Sequence, residues 1–502
     1  MIGRAAVRPL RSASERWVRV ACLACGALPV LAFPRPALSW LAWAVLVPGL
    51  LLMRSAPDAR TAAFRGWWFG AGYLLAALYW TVPDIGPGLP LVAAVFGALW
   101  AVWGAAARRL SPAAAVVVLP CVWVSIEFVR YWPRLGGPWA LLGATQWKHP
   151  VVLSLAAVGG VWLVSFVLVA VNTAIAMAVV ARKPGFAVLA AALACTAPLA
   201  YATRPAPPAD RTVRIALVQT GVVHSPAVRL DAGERITAAL PPVDLAVWGE
   251  SSVGYNVVRD AAVSARLEAL ARNNPVLVNE DARDAGGRIS KSAVLLRPDG
   301  TRERYVKTRL VPFGEYVPFR SALGWLASVS EAAGEDRVPG TGVRVMRVDG
   351  VAIGPLICFE STFPDYARAV AGRGAQVLVY QSSTSTFQES WAPPQHASLA
   401  AVRAAETGRP AVQAALTGVS AAFDAQGRRL AWLDTDRRGA AVVALAVPPA
   451  GHRTPYARFG DYVAYLSAAA TGVILVITVR SSGPTARRRR DRRPSPPGPR
   501  AA

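Results

Sequence analysis

The stretch Ile353-Gly-Pro-Leu-Ile-Cys-Phe-Glu-Ser-Thr362 places a cysteine where an apolar strand pattern ends. The apolar run 351–357 predicts a buried β-strand, because it is short and uninterrupted by charge. A cysteine in the following turn can be presented as a nucleophile, and the turn offers backbone N–H groups to a developing oxyanion. A lone cysteine at a strand end also has a simpler interpretation, which is buried packing.

Similar strand patterns surround this stretch and are mixed with helical ones. Strands are predicted at 213–219, 243–248, 275–278, 292–297, 343–348, 376–380, 411–415 and 419–423, and helices at 232–239 and 395–406. This mixture predicts one α/β or layered α+β domain with its own core. Ligands in such folds bind at the carboxyl ends of strands. Glu250 follows the run 243–248 as Cys358 follows 351–357, so both are candidates for a site.

The rest of the chain is unlike a soluble protein. Its 502 residues contain 17% charged side chains, and the mean hydropathy is +0.35. These values predict apolar surface that faces lipid. Runs long enough to cross a bilayer as helices occur at about 18–33, 37–53, 64–82, 88–107, 112–129, 151–180, 185–202 and 462–479. The pattern predicts seven spans, a polar domain and one closing span.

The basic residues suggest an orientation for these spans. The basic segment before the first span resembles a signal peptide, but no convincing cleavage site follows, so we expect a retained helix. Lys and Arg favour the cytoplasmic side, which places both termini inside and the polar domain outside. The expected division is 1–203 membrane domain, 204–461 catalytic domain, 462–480 closing helix and 481–502 disordered basic cytoplasmic tail.

The net charge of +24 does not indicate nucleic-acid binding. Much of it lies in the tail Arg487–Arg493, which follows a membrane span and precedes a Pro/Ser/Gly-rich end. Attraction to anionic lipid headgroups explains such a run, so the expected partner of the tail is the membrane.

Cysteine and histidine usage narrows the chemistry of the polar domain. Four of the five cysteines lie in apolar spans, namely Cys22, Cys25, Cys121 and Cys195. Cys358 therefore has no disulfide partner within its domain and is a candidate reactive thiol. The four histidines are scattered, so neither a metal site nor a cofactor is expected.

Two further polar residues stand out. Glu250 follows a run buried on both faces, where a carboxylate is costly and tends to have a raised pKa. Lys307 lies in the stretch 304–318, which is punctuated by aromatic residues and prolines and is predicted to be a loop. Taken singly, Glu250 can equally be a helix cap or a member of a surface ion pair.

Taken together, these local sequences resemble a known family. Trp248-Gly-Glu250, Tyr305-Val-Lys307 and Ile357-Cys-Phe-Glu360 resemble the Glu-Lys-Cys triad of the nitrilase superfamily. The string Leu310-Val-Pro-Phe-Gly-Glu-Tyr-Val-Pro318 is similar to its apolipoprotein N-acyltransferase branch. The membrane part is similar to the same branch at Leu41-Ala-Trp-Ala-Val-Leu-Val-Pro48, Phe69-Gly-Ala-Gly-Tyr73, Leu78-Tyr-Trp80, Glu127, Gly137-Pro-Trp139 and Ser165-Phe-Val-Leu-Val-Ala-Val-Asn172. The resemblance covers about residues 18–478.

The resemblance implies a role for each matching residue. Cys358 would be the nucleophile, Glu250 its general base and Lys307 the cation for the oxyanion, with Glu315 and Glu360 as supporting carboxylates. A nearby cation is expected to lower the pKa of the thiol. The implied fold is a polytopic helical membrane domain with an extracytoplasmic α-β-β-α sandwich.

The resemblance also implies a reaction and a location. Cys358 would take an acyl chain from a phospholipid and pass it to the α-amino group of the diacylglyceryl-cysteine of an apolipoprotein. No metal or nucleotide is required. The implied location is the bacterial inner (plasma) membrane.

The chain departs from the family pattern at four places. Leu230 replaces a Trp, Gly249 replaces a Pro, and the segments 383–387 and 415–418 differ from Asn-containing family segments. The alternatives to an acyltransferase are a hydrolase, in which water resolves the acyl-enzyme, and a binding protein without catalysis.

Two further features have two interpretations each. Glu127 has either an intramembrane function or a helix-packing role. The segment 319–333 either flanks an acyl-chain entrance or packs on the domain core.

Overall fold

The computed structural model describes residues 15–132, 137–203, 207–283, 286–324 and 335–481. The amino-terminal part contains helices α1 (Glu15–Ala27), α2 (Val47–Arg54), α3 (Ala59–Ala77), α4 (Val82–Ile85), α5 (Gly88–Gly97), α6 (Leu99–Arg109), α7 (Pro112–Arg130), α8 (Pro150–Ala181), α9 (Pro184–Ala194) and α10 (Thr196–Ala202). The basic tail Arg487–Arg493 and residues 325–333 of the predicted interfacial segment lie outside the described residues.

Four described helical stretches are long and apolar enough to cross a membrane. They are Gly88–Arg109, Pro112–Arg130, Pro150–Ala181 and Pro184–Ala202. Two shorter apolar helical stretches, Ser39–Arg54 and Tyr462–Val476, coincide with further predicted spans. The expected total of eight spans stays a prediction.

Within the membrane part, Glu127 connects helix α7 to the loop that precedes α8. Its Oε1 accepts hydrogen bonds from Trp123 Nε1 at 2.9 Å and from the backbone N–H of Leu142 at 2.8 Å. These contacts are those of a helix-packing residue, because they join α7 to the connection that leads into α8.

Helix α8 is broken near its middle by two glycines. Gly159 (φ −128°) and Gly160 (φ +71°) leave the helical conformation. A Cβ on Gly160 would lie 2.6 Å from the Tyr456 ring, so the break also needs a residue without a side chain. The break frees the N–H of Val161, which donates to Glu406 Oε1 at 2.8 Å. Because Glu406 belongs to the polar domain, the two parts of the chain share this bond.

The polar domain contains two six-stranded sheets. Its strands are β1 (Arg211–Gln219), β2 (Leu245–Trp248), β3 (Val276–Arg283), β4 (Ile289–Leu296), β5 (Arg302–Val306), β6 (Met346–Val348), β7 (Val351–Ile357), β8 (Val377–Ser382), β9 (Ala411–Ala415), β10 (Ser420–Phe423), β11 (Arg429–Leu433) and β12 (Gly439–Val447). The strand orders are β12-β1-β2-β3-β4-β5 and β11-β10-β9-β8-β7-β6. In each sheet the three central strands, β1–β3 and β7–β9, are mutually parallel.

The sheets pack face to face between helices. The helices that follow β1 in the chain are α11 (Pro226–Ala238), α12 (Ala261–Ala271), α13 (Arg320–Leu323), α14 (Pro364–Gly372), α15 (Ala392–Thr407), α16 (Pro455–Phe459) and α17 (Tyr462–Ser481), of which α17 packs against α7 and α8 of the membrane part. α11 and α12 cover the first sheet, and α14 and α15 cover the second. α15 also packs against α8, so the second helix layer lies between the sandwich and the membrane part. The expected α-β-β-α sandwich is confirmed.

Candidate active site

Cys358 is the first residue after β7. It begins a short 3-10 turn, Cys358–Thr362, and has a left-handed φ of +47°. A non-glycine residue in this conformation costs roughly 1–3 kcal/mol and is retained where the surroundings impose it. The Sγ atom lies 3.9 Å from the carbonyl oxygen of Ser383 and 4.0 Å from Nε2 of His396. The turn thus holds a partly buried thiol at the end of a central strand.

Glu250 reaches this thiol from the other sheet. It lies two residues after β2, and its backbone N–H donates to the carbonyl oxygen of Ser382 at 3.1 Å. The buried side-chain amide of Gln381, the residue before Ser382, also holds the turn after β2. It donates to the carbonyl oxygen of Trp248 at 2.9 Å. The Glu250 carboxylate lies near enough to the Cys358 thiol for its negative charge to raise the pKa of that thiol. The two strand ends meet across the sandwich, although they are far apart in sequence.

Two lysines and two glutamates form a charged cluster beside the thiol. Lys307 Nζ lies 3.1 Å from Glu250 Oε1 and 2.9 Å from Glu315 Oε1. Lys291, which no sequence motif indicated, lies 2.8 Å from Glu250 Oε1 and 3.4 Å from Glu315 Oε1. Lys307 directly follows β5, so the stretch predicted to be a loop begins as a strand.

The electrostatics of the site differ from the sequence expectation in two respects. Burial opposes ionisation of Glu250, but the ammonium groups of Lys291 and Lys307 hold the pKa of that carboxyl well below its usual value. The expectation of a raised pKa was therefore wrong. Burial and the Glu250 charge raise the pKa of the Cys358 thiol to about 12, against the opposing effect of the lysines. The expectation of a lowered thiol pKa was also wrong.

The resting site consequently holds a neutral thiol beside an ionised carboxylate. Burial also opposes the charge of Lys307, but Glu250 and Glu315 raise the pKa of its ammonium group above the usual value. Burial likewise works against ionisation of Glu315, whose pKa the two lysines lower. The proton therefore stays on sulfur until bond formation to carbon begins to compensate for its transfer.

Glu360 connects the cysteine turn to the lysine loop. One carboxylate oxygen accepts from the backbone N–H of Ile357 at 2.7 Å, and the other accepts from the N–H of Thr308 at 2.7 Å. Tyr305 OH donates to the same carboxylate at 2.7 Å. Glu360 is fully buried, so it fixes the positions of Cys358 and Lys307 without facing the reacting space.

Aromatic side chains of the membrane part extend to the cysteine. His396 on α15, next to Cys358, stacks on Trp139 with ring centroids 6.2 Å apart. Trp139 packs on Trp80 at 4.8 Å, and Trp80 packs on Phe387 at 4.7 Å. Burial lowers the pKa of His396 to about 4, so its ring is neutral at pH 7. These rings form an apolar boundary between the membrane helices and the site.

Two of the family departures touch each other. A Cβ on Gly249 would lie 1.8 Å from the backbone nitrogen of Leu416, and that nitrogen donates to the carbonyl oxygen of Ser382 at 2.8 Å. The segment 415–418 also contacts the third departure, the segment 383–387, because Thr417 Oγ1 lies 3.2 Å from Ser383 Oγ. Leu230 lies elsewhere, in the core beneath the first sheet.

The close approach at Gly249 predicts a stability defect. Gly249→Ala is expected to lower the free energy of unfolding by about 1–3 kcal/mol, because the added methyl group must displace backbone. Thermal unfolding of the detergent-purified protein measures the change. Gly451→Ala is the control, since nothing lies within 4 Å of its added Cβ, and an equal loss in both variants would contradict the prediction.

Comparison with known proteins places this geometry in a family. Residues 25–174 match the family model "Apolipoprotein N-acyltransferase N-terminal domain", and residues 214–451 match "Carbon-nitrogen hydrolase". The apolipoprotein N-acyltransferase of Azotobacter vinelandii is 32% identical over 87% of this chain and 90% of its own length. The chain belongs to the apolipoprotein N-acyltransferase family. The Pseudomonas putida enzyme of that name is 31% identical over 88% of this chain and 92% of its own.

Membership of the apolipoprotein N-acyltransferase family confirms the resemblance drawn from the sequence and the expected enzyme class, an acyltransferase of the carbon–nitrogen hydrolase superfamily. With the apolar helices described above, it makes the chain a membrane protein. A solved carbon–nitrogen hydrolase superfamily protein from Xanthomonas campestris is also similar, at 18% identity over 47% of this chain and 90% of its own, with a TM-score of 0.37.

Proposed function

We propose that the chain moves a fatty acyl group from a membrane phospholipid, through a thioester on Cys358, to the α-amino group of a diacylglyceryl-modified apolipoprotein. The observation that carries this proposal is the position of Cys358. Cys358 ends a strand of one sheet close to Glu250 of the other, and its neighbour His396 stacks on Trp139 of the membrane part. A nucleophile at that boundary is accessible to an acyl ester held in the bilayer.

In the first half-reaction, Cys358 Sγ attacks the ester carbonyl carbon while its proton passes to Glu250. The carbonyl π electrons move to oxygen, and Lys307 binds the resulting oxyanion. Collapse of the intermediate breaks the carbon–oxygen bond of the ester. The departing alkoxide takes the proton from Glu250, which gives lysophospholipid and the Cys358 thioester.

In the second half-reaction, the neutral α-amine of the acceptor attacks the thioester carbonyl. Glu250 takes a proton from the attacking nitrogen and returns it to Cys358 sulfur when the carbon–sulfur bond breaks. Lys307 again binds the oxyanion. Glu315 and Glu360 do not react: Glu315 orients Lys307 through the 2.9 Å ion pair, and Glu360 holds both loops.

We further propose the arrangement of the chain across the membrane. Residues 1–203 supply about seven spans, residues 462–480 supply an eighth, and both termini lie in the cytoplasm. The catalytic domain, residues 204–461, then lies outside the cytoplasmic membrane of a bacterium. The basic residues support this arrangement, because Lys and Arg favour the cytoplasmic side of a membrane.

Product analysis tests the proposed function. The detergent-purified protein is incubated with phosphatidylethanolamine and phosphatidylglycerol that carry deuterated acyl chains, and with a diacylated lipopeptide that has a free α-amine. We expect mass spectrometry to show one deuterated acyl chain on the peptide amine and an equal amount of lysophospholipid.

The same experiment separates the alternatives. Deuterated free fatty acid without acylated peptide would establish a hydrolase instead of a transferase. Lipopeptide binding without lysophospholipid or a thioester would establish a binding protein. An N-acetylated lipopeptide is the matched control acceptor, and its acylation would contradict the proposed attack by the α-amine.

A further inference from the structure

Lys291 completes a closed ring of alternating charges. Glu250 Oε1 contacts both lysines, at 2.8 Å to Lys291 and 3.1 Å to Lys307. Glu315 Oε1 contacts the same two, at 3.4 Å to Lys291 and 2.9 Å to Lys307. The exposed fractions of the four side chains are 13% or less. Burial of a lysine charge costs free energy that ion pairs often fail to offset fully, so a role in the reaction would explain a buried lysine beside the general base.

The net charge of the four-residue ring indicates what the Lys291 charge contributes. At rest the ring holds two cations and two anions and is neutral. When Glu250 takes the thiol proton, the two lysines face Glu315 alone, and the ring becomes positive by one charge. That is the charge needed to balance an oxyanion forming on the substrate. Without Lys291 the protonated ring would be neutral, because Glu315 would cancel Lys307.

The same contacts would allow Lys307 to become available during the reaction. Protonation of Glu250 weakens its bond to Lys307, while Lys291 remains close enough to hold Glu315. Lys307 can then turn a donor toward the oxyanion without leaving Glu315 unpaired. A pair built from Lys307 and Glu315 alone would resist this change, since a buried carboxylate is strongly disfavoured without a partner.

We propose that Lys291 is a positioning residue for acyl transfer, which acts through Glu250 and Glu315 to leave one net positive charge for the oxyanion. This inference rests on the proposed function for the identity of the acyl donor, but not for the behaviour of the thiol. Lys291 does not touch the thiol or the substrate carbonyl in this scheme.

Lys291→Met tests the proposal, because methionine keeps the length of the side chain and removes the charge. Charged groups that face position 291 are Glu250, Glu315, Lys307, the cross-strand neighbour Asp281, and Arg337 paired with Asp281. Loss of the Lys291 cation is expected to raise the pKa values of both Glu250 and the Cys358 thiol. Alkylation of Cys358 by iodoacetamide at pH 8 should slow about tenfold, with its midpoint at higher pH.

Single-turnover thioester formation supplies the second readout. With deuterated phosphatidylethanolamine, Lys291→Met should form the Cys358 thioester about ten- to a hundredfold more slowly than wild type. The KM for the phospholipid should be little changed. Lys291→Arg should retain most of the wild-type rate, because it keeps the charge. Arg304→Met is the matched control, since it removes a cation on the same sheet that pairs with Glu280 outside the ring.

The alkylation profile and the rate of thioester formation test different claims. A wild-type protein that forms no thioester with phospholipid would contradict the proposed function, while the alkylation profiles would still decide the role of Lys291. An unchanged alkylation midpoint in Lys291→Met would overturn the proposal. If Lys291→Met does not fold, Lys291→Gln, which keeps a hydrogen-bond donor, is compared in the same way and must show the same upward shift.

Discussion

Cys358→Ala is expected to abolish acyl transfer, with a loss of at least about three orders of magnitude in turnover. The alanine keeps the backbone of the turn but removes the atom that forms the thioester. Intact-protein mass spectrometry after mixing with deuterated phospholipid should show the acyl adduct on wild type and not on the variant. Cys358→Ser should also fail, because a hydroxyl is a far weaker nucleophile beside this carboxylate.

Cys195→Ala is the matched control for that experiment. Cys195 is a free, exposed cysteine at the end of α9, remote in the fold from the charged cluster. It should retain wild-type turnover and the acyl adduct. An adduct on Cys358→Ala, or near-normal turnover by that variant, would show that another group carries the acyl chain.

Glu250→Gln is expected to separate thiol ionisation from catalysis. The amide cannot accept the thiol proton, so thioester formation should fall by about 10²–10⁴-fold. Burial and the Glu250 charge together raise the thiol pKa to about 12, and loss of that charge removes one of the two effects that oppose the lysines. The pKa of Cys358 should therefore fall, and iodoacetamide alkylation should show a midpoint at lower pH than in wild type.

The direction in which the alkylation midpoint moves distinguishes Glu250→Gln from Lys291→Met. Glu250→Gln should lower it, whereas Lys291→Met should raise it, although both variants slow acyl transfer. A variant that is only misfolded would not move the two midpoints in opposite directions. Thioester formation by Glu250→Gln at the wild-type rate would remove Glu250 from the role of base.

The strand ends were predictable because their signal is local. An apolar run ends just before Cys358, and another ends just before Glu250, so each strand and its end can be read within a few residues. The structure has β7 at the first run and β2 at the second. β5 was missed, because Arg302, Glu303 and Arg304 interrupt any apolar pattern. Its strand conformation comes from pairing with β4, which a local pattern does not show.

Lys291 was missed for a related physical reason. It lies in Ile289-Ser-Lys-Ser292, just before the strand predicted at 292–297, and lysine is a residue type that is mostly exposed. Its partner Glu250 is 41 residues away in sequence, and only the packing of the sheets brings the two charges to 2.8 Å. The two pKa directions were wrong for the same reason, since the sequence showed burial and one cation but not how many charges meet.

The bond between Val161 and Glu406 has a consequence for the order of assembly. The donor in the broken helix emerges from the ribosome 245 residues before its acceptor. A buried amide without a partner is strongly disfavoured, so we expect the break in α8 to reach its final form only after Glu406 is in place. The membrane part must wait for the later domain to fold before its own backbone is complete. Truncation after residue 203 should therefore yield an inserted but unfinished bundle, and the two parts should not be interchangeable with those of relatives unless both sides of this bond are kept.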